Sequence, residues 1–195
     1  MTDITTSEQV NELLAALGEQ LASAGRSYEL VVIGGSALLA LGLVDRATRD
    51  VDLLALRTGE ELTRPDPLPT ELATAAERVG RDFGLRHDWL NAGPASMLDL
   101  GLSAGFTQRL QERRYGRALA VHFASRLDQI HFKLYALVDQ GPGRHETDLR
   151  QLDPSEQELI AAARWTRTHD PSPGFRGGLE QVLRFLGVED VDLGA

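Results

Sequence analysis

Apolar residues recur along this chain with two periods. Val10, Leu13, Leu14, Leu17 and Leu21 fall three or four apart, the spacing of one helix face, and predict an amphipathic helix over 6–24. Thr6 is its N-cap, with Gln9 three residues on, and Gly25 ends it. Tyr28–Ile33 is a short apolar run and predicts a first strand, which stops at Gly34-Gly35-Ser36. A short helix from Ser36 to Leu41 follows, terminated at Gly42. Asp50–Leu56 predicts a second strand. Residues two apart on a strand share a face, so Asp50 and Asp52 point one way while Val51 and Leu53 point into the core. Three prolines between Arg57 and Pro69 predict a loop. Thr70 caps a helix with Leu72, Ala75, Ala76, Val79 and Phe83 on one face. Residues 84–115 show no clear period; Asp88-Trp89-Leu90-Asn91 before Gly93-Pro94 reads as a turn with a buried aromatic.

From Arg117 to Ala124 the alternation returns, with Ala118, Ala120, His122 and Ala124 set against Leu119, Val121 and Phe123. This predicts a strand beside Asp50–Leu56. Ser125 caps a helix over 126–140 with Leu127, Ile130, Leu134 and Leu137 inward, broken by Gly141-Pro142-Gly143. Asp153-Pro154-Ser155-Glu156 reads as a helix opening with Asp153 as N-cap and Pro at the first position. Thr168 to Gly174 is a link, Gly178–Leu186 a last helix, and 189–195 an acidic tail expected to fray. Together these elements predict an α/β (α+β) fold, a mixed sheet flanked by helices. Residues 1–152 form the domain, and 153–195 form a helical C-terminal extension packed on it.

Composition narrows the setting. The 195-residue chain has no cysteine, which excludes a disulfide framework and thiolate metal sites. No window reaches about 18 uninterrupted apolar residues, and the N-terminus lacks the basic and apolar regions of a secretory signal. A soluble cytoplasmic protein with no membrane partner is expected. A net charge of −9 disfavours non-specific binding to nucleic acid. Arg109, Arg113, Arg114 and Arg117 nevertheless cluster, either as a solvated surface or as a groove for nucleic-acid phosphates. Of 20 basic residues 19 are arginine, and the one lysine is Lys133. Lysine and arginine are not interchangeable at a close phosphate contact, so its retention draws interest.

The candidate chemistry lies between Val31 and Leu56. A strand–Gly-Gly-Ser–helix turn aims backbone N–H groups at one spot, which suits a phosphate. Two carboxylates beside it suit Mg²⁺, which takes oxygen ligands and pairs one or two carboxylates with substrate phosphates.

Gly35-Ser36, a thirteen-residue spacer, then Asp50-Val51-Asp52-Leu53 resembles the signature of the polymerase-β-like nucleotidyltransferase superfamily. The lead-in Arg46-Ala47-Thr48-Arg49-Asp50 resembles its small bacterial branch, which includes toxin nucleotidyltransferases of toxin–antitoxin and abortive-infection systems. The resemblance covers roughly residues 28–152 and is strongest in 31–56. It implies a nucleotidyltransferase-like fold that moves a nucleoside monophosphate from a nucleoside triphosphate to an acceptor hydroxyl on RNA (a tRNA 3′ end) or protein. It further implies Mg²⁺, with Mn²⁺ as a substitute, and a cognate antitoxin as partner. Asp50 and Asp52 are the implied metal ligands. Gly35, Ser36, Arg49 and Lys133 are the implied nucleotide contacts, with Arg46 a further candidate. Lys133-Leu134-Tyr135-Ala136 followed by Asp148-Leu149 resembles the later motif pair of the toxin branch, which gives Lys133 and Asp148 catalytic roles. The superfamily's third strand carboxylate has no counterpart here; that slot holds His122. This departure favours an alternative reading, a non-catalytic nucleotide-binding or antitoxin-like module on the same fold.

Overall fold

The computed structural model describes residues 2–189 and 192–193. In chain order the elements are α1 (Ser7–Ser23), β1 (Tyr28–Ile33), α2 (Gly34–Ala40), β2 (Val51–Thr58), β3 (Glu61–Thr63), α3 (Thr70–Asp82) and β4 (Leu90–Asn91). After a 3₁₀ turn come α4 (Met97–Leu100), β5 (Gln111–Tyr115), β6 (Leu119–Phe123), α5 (Arg126–Gln140), α6 (Arg144–Gln151), α7 (Glu156–His169) and α8 (Pro173–Phe185). The fold is mixed α/β, as expected. The chain separates into two compact units, Met1–Ser125 and Arg126–Ala195. The expected boundary after residue 152 lies inside the second.

The first unit is built on one six-stranded sheet of order β3-β2-β1-β6-β5, with β4 alongside the start of β2. β1 runs antiparallel to β2 and parallel to β6. The alternating strand expected beside Asp50–Leu56 therefore lies beside β1 instead, and β1 separates the two. Strand alternation reports which face is buried but not which neighbour is paired. Leu30, Val32, Leu53, Val121 and Phe123 form one buried face with Leu14, Leu17 and Leu21 of α1 and Leu72 and Val79 of α3. Each is at most 1% exposed, so a Leu→Ala change among them would cost about 2–5 kcal/mol. Gly18 lets α1 approach the sheet, since a Cβ there would strike the Tyr115 carbonyl oxygen.

Several boundaries differ from expectation. The loop after Arg57 contains a short strand, β3, which closes a hairpin on β2 around Gly59 at φ 62°. Phe83, expected on the inner face of α3, is 41% exposed at its C-cap. The unreadable stretch 84–115 holds β4 and β5, strands of two and five residues that are too short or too charged to show a period. Trp89 is fully buried as expected, and its indole N–H donates to the Ala76 carbonyl at 2.8 Å.

The second unit is helical, with α6, α7 and α8 each packed on α5. Arg126 ties its turns together, donating to the carbonyls of Leu152 and Asp153 and pairing with Glu158 at 2.6 Å. The N-cap of α7 is Ser155 rather than Asp153, and Ser155 and Glu158 form a reciprocal capping box. A serine and a glutamate three residues apart satisfy two otherwise orphaned N–H groups, which an Asp153 cap would leave open. α8 starts at Pro173 with Ser172 as its cap, earlier than the leucine pattern suggested. Of the tail expected to fray, Leu193 is 5% exposed, and its carbonyl accepts from Arg167 at 3.4 Å. Residues 190, 191, 194 and 195 lie outside the described residues.

Candidate nucleotide and metal site

α2 starts at Gly34, directly after β1 and two residues before the expected start at Ser36, which brings both glycines against the acidic segment. Gly34 sits at φ 77°, a left-handed conformation that disfavours residues with a Cβ. A Cβ at this position would overlap the Asp52 carboxylate. A Cβ at Gly35 would lie 2.9 Å from Thr48 Oγ1 and 3.1 Å from an Arg46 guanidinium nitrogen. Thr48 Oγ1 in turn lies 3.4 Å from Asp50 Oδ1. Asp50, Thr48, Arg46, Gly35, Gly34 and Asp52 thus form one contiguous wall. Asp50 precedes β2, which begins at Val51, so the pair spans a loop end and a strand start rather than one strand. Val51 and Leu53 are fully buried on the core side, as expected.

Ser36 is fully buried in α2, and its Oγ has no hydrogen-bond partner among the described residues. Asn91 on β4 pairs with Asp52 in register. Its Oδ1 accepts from the Gly93 N–H at 2.9 Å, which turns Nδ2 toward Asp52 Oδ1 at 3.4 Å. Arg86 pairs with Asp88 through two bonds of 2.8 and 3.0 Å. The Arg86 guanidinium holds the Asp88 carboxyl down to about 2. Arg86 itself is raised, first by Asp88 and to a lesser degree by the charge of Asp50. The loop that carries Arg46 to Asp50 is braced from the N-terminus: Ile4 and Thr48 exchange both backbone hydrogen bonds at 2.8 Å.

Within the first unit, Arg49 and His122 lie outside this wall. Arg49 points outward, 71% exposed, 3.9 Å from Asp3. His122 sits on β6 beside β1 and bonds to Glu29 and Arg57, away from the Asp50–Asp52 wall. Lys133 and Asp148 belong to the second unit, where they form an ion pair of 2.8 Å with side chains 5% and 0% exposed. Asn91, Thr48, Arg86 and Ile4 are neighbours of the site that their positions in the sequence do not mark as such. Asn91 was visible only as a polar residue closing an apolar pair, and Ile4 as a lone apolar residue in a polar leader. Among the described residues no group of three or more His, Cys, Asp or Glu could hold a metal unaided. Two hard carboxylates beside a glycine cradle do suit Mg²⁺ shared with substrate phosphates.

The strand β1, the glycine-led helix α2 and the acidic start of β2 thus meet at one place in the first unit. The chain belongs to the family described as nucleotidyltransferase of unknown function (DUF6036), which it matches over residues 9–143. No match was found among curated proteins or among solved structures. Among the described residues no helix is long and apolar enough to cross a membrane.

Proposed function

We propose that the chain transfers a nucleoside monophosphate from a nucleoside triphosphate to an acceptor hydroxyl, in a Mg²⁺-dependent reaction at the Gly34–Asp52 wall. The observation that carries this reading is the contact of Gly34 with Asp52, which places a side-chain-free turn directly against a carboxylate. Asp50 and Asp52 would hold Mg²⁺, with Mn²⁺ a substitute. When bound, the ion supplies charge neutralisation on the phosphate oxygens. Gly34 and Gly35 let Asp52, Thr48 and Arg46 close against the start of α2, and the buried Ser36 hydroxyl has no partner among the described residues. Arg46 offers a guanidinium to the same space, and Asn91 orients Asp52. The acceptor class is an RNA end or a protein hydroxyl, and the resemblance to toxin nucleotidyltransferases makes a cognate antitoxin the proposed partner.

The absence of a third carboxylate beside the pair among the described residues favours a second reading, a nucleotide-binding module without catalysis. One experiment separates them. The protein is incubated with each radiolabelled triphosphate, Mg²⁺ and a cell extract, and pyrophosphate release and labelled products are followed. Transfer that vanishes in Asp50→Asn and Asp52→Asn supports the enzyme. Mg²⁺-dependent nucleotide binding without pyrophosphate release supports the module.

A further inference from the structure

The far end of the sheet holds a second polar pocket. It has a volume of about 500 Å³ and is lined by Ser27, Glu29, Arg57, Thr58, Arg114 and Arg117 among others. Asp52 and Arg57 are five residues apart on β2, roughly 16 Å along an extended strand. A bulge at Leu54 puts them on one sheet face: Asp52 pairs with Ile33, and Ala55 with Val31. The pocket is therefore separate from the carboxylate wall.

Its floor is a fixed hydrogen-bond chain. Arg57 donates from Nε to the Gly59 carbonyl at 2.6 Å and from a terminal nitrogen to His122 Nδ1 at 3.2 Å. A guanidinium only donates, so Nδ1 accepts, and the Nε2 N–H of His122 donates to Glu29 at 3.0 Å. The His122 side chain is 3% exposed, so this chain holds the guanidinium from beneath. Two of the five Arg57 N–H groups are engaged, which leaves three for the pocket. Arg114 spends one nitrogen on Glu112, at 2.6 Å. Arg117 is exposed and has no partner among the described residues. Three guanidinium groups thus line a pocket whose one carboxylate, Glu29, is already bonded to His122. In a chain of net charge −9, three arginines on one pocket outnumber the two carboxylates beside them.

The geometry points to a metal-independent phosphate site, which takes the phosphate of a free nucleotide or of a nucleic-acid strand. Planar guanidinium forks match phosphate oxygens in pairs. Arg57 and Arg117 keep guanidinium N–H groups that neither Glu29 nor Glu112 engages, and serine and threonine hydroxyls supply further donors.

The test is calorimetry in EDTA at low salt. Inorganic pyrophosphate, ADP and a short 5′-phosphorylated single-stranded RNA are each titrated into the full chain, Asp52→Asn, Arg117→Gln and Arg57→Gln/Arg117→Gln. Wild-type and Asp52→Asn proteins are expected to bind alike. Arg117→Gln, an exposed change that leaves folding intact, is expected to weaken binding at least ~10-fold, as loss of a charge-assisted hydrogen bond does. The double variant is expected to lose it. Tighter binding of RNA than of ADP identifies a strand as the source, and equal binding identifies a free nucleotide. Failure of every probe to bind wild type, or unaltered affinity in Arg117→Gln, overturns the proposal. The carboxylate-wall reading, which is assayed with Mg²⁺, stands or falls separately.

Discussion

Gly34 has no Cβ because the Asp52 carboxylate occupies the place where one would go. The turn and the acidic strand are therefore fitted to each other, and the backbone at φ 77° reinforces the choice of glycine.

Gly34→Ala should lose about 1–2 kcal/mol from the left-handed backbone. It should also push Asp52 out of place, lowering Mg²⁺–nucleotide affinity or transfer by about 10²-fold. Gly42→Ala is the control, since it shares the backbone penalty at φ 69° with open space around the new methyl. Thermal melts and calorimetry on both variants check this. Equal nucleotide affinity in the two would show that the Gly34 contact has no bearing on binding.

Lys133 and Asp148 make a buried ion pair, so removing one member takes from the other its opposite charge at 2.8 Å. Lys133→Ala should cost about 3–5 kcal/mol, whereas Lys133→Met/Asp148→Leu should be near neutral or stabilising. Chemical denaturation measures both. The double variant also tests the catalytic role that the resemblance implies. Normal transfer makes the pair a brace for the second unit, and a folded but inactive protein places the lysine in the reaction.

The backbone pairing of Ile4 with Thr48 braces the loop that ends at Asp50. A chain lacking residues 1–5 should lose amide protection over residues 46–50 and bind Mg²⁺–nucleotide more weakly. Hydrogen exchange reads the first effect and calorimetry the second. Undiminished protection at Thr48 would remove the brace from the account.

Glu158 is held below its ordinary value of 4.5, first by its hydrogen bond to Arg126 and then by the Ser155 cap, against an opposing effect of burial. A carboxylate with a depressed folded value contributes stability that is fully present above the unfolded value. That stability is lost as pH falls through the folded one. Wild type should therefore lose stability below about pH 4.5 more steeply than Glu158→Gln, whose group does not titrate. Denaturation midpoints between neutral pH and pH 3 compare the slopes. Identical slopes would mean that the pair contributes nothing.

Much of the fold is legible in the sequence because the signals are local. The α1 stripe, the run Tyr28–Ile33 and the Ser125-led helix appear at or near their expected positions, since side-chain periodicity follows directly from backbone geometry. The Gly-Gly-Ser turn and the Asp-x-Asp segment were readable for the same reason, as each is a few residues of special chemistry.

Sequence alone determined that an acidic segment follows a glycine turn, and that one lysine stands among nineteen arginines. Tertiary structure decided what each of them meets. It set Gly34 against Asp52, gave Asp52 its neighbour Asn91 through β4, and sent Arg49 out to Asp3. It also placed His122 under Arg57 rather than beside the carboxylates, because β1 intervenes between β2 and β6. Strand order, bulges and long-range pairs depend on contacts between residues tens of positions apart. Those contacts form only when whole faces are buried together, and periodicity within one segment carries no record of them.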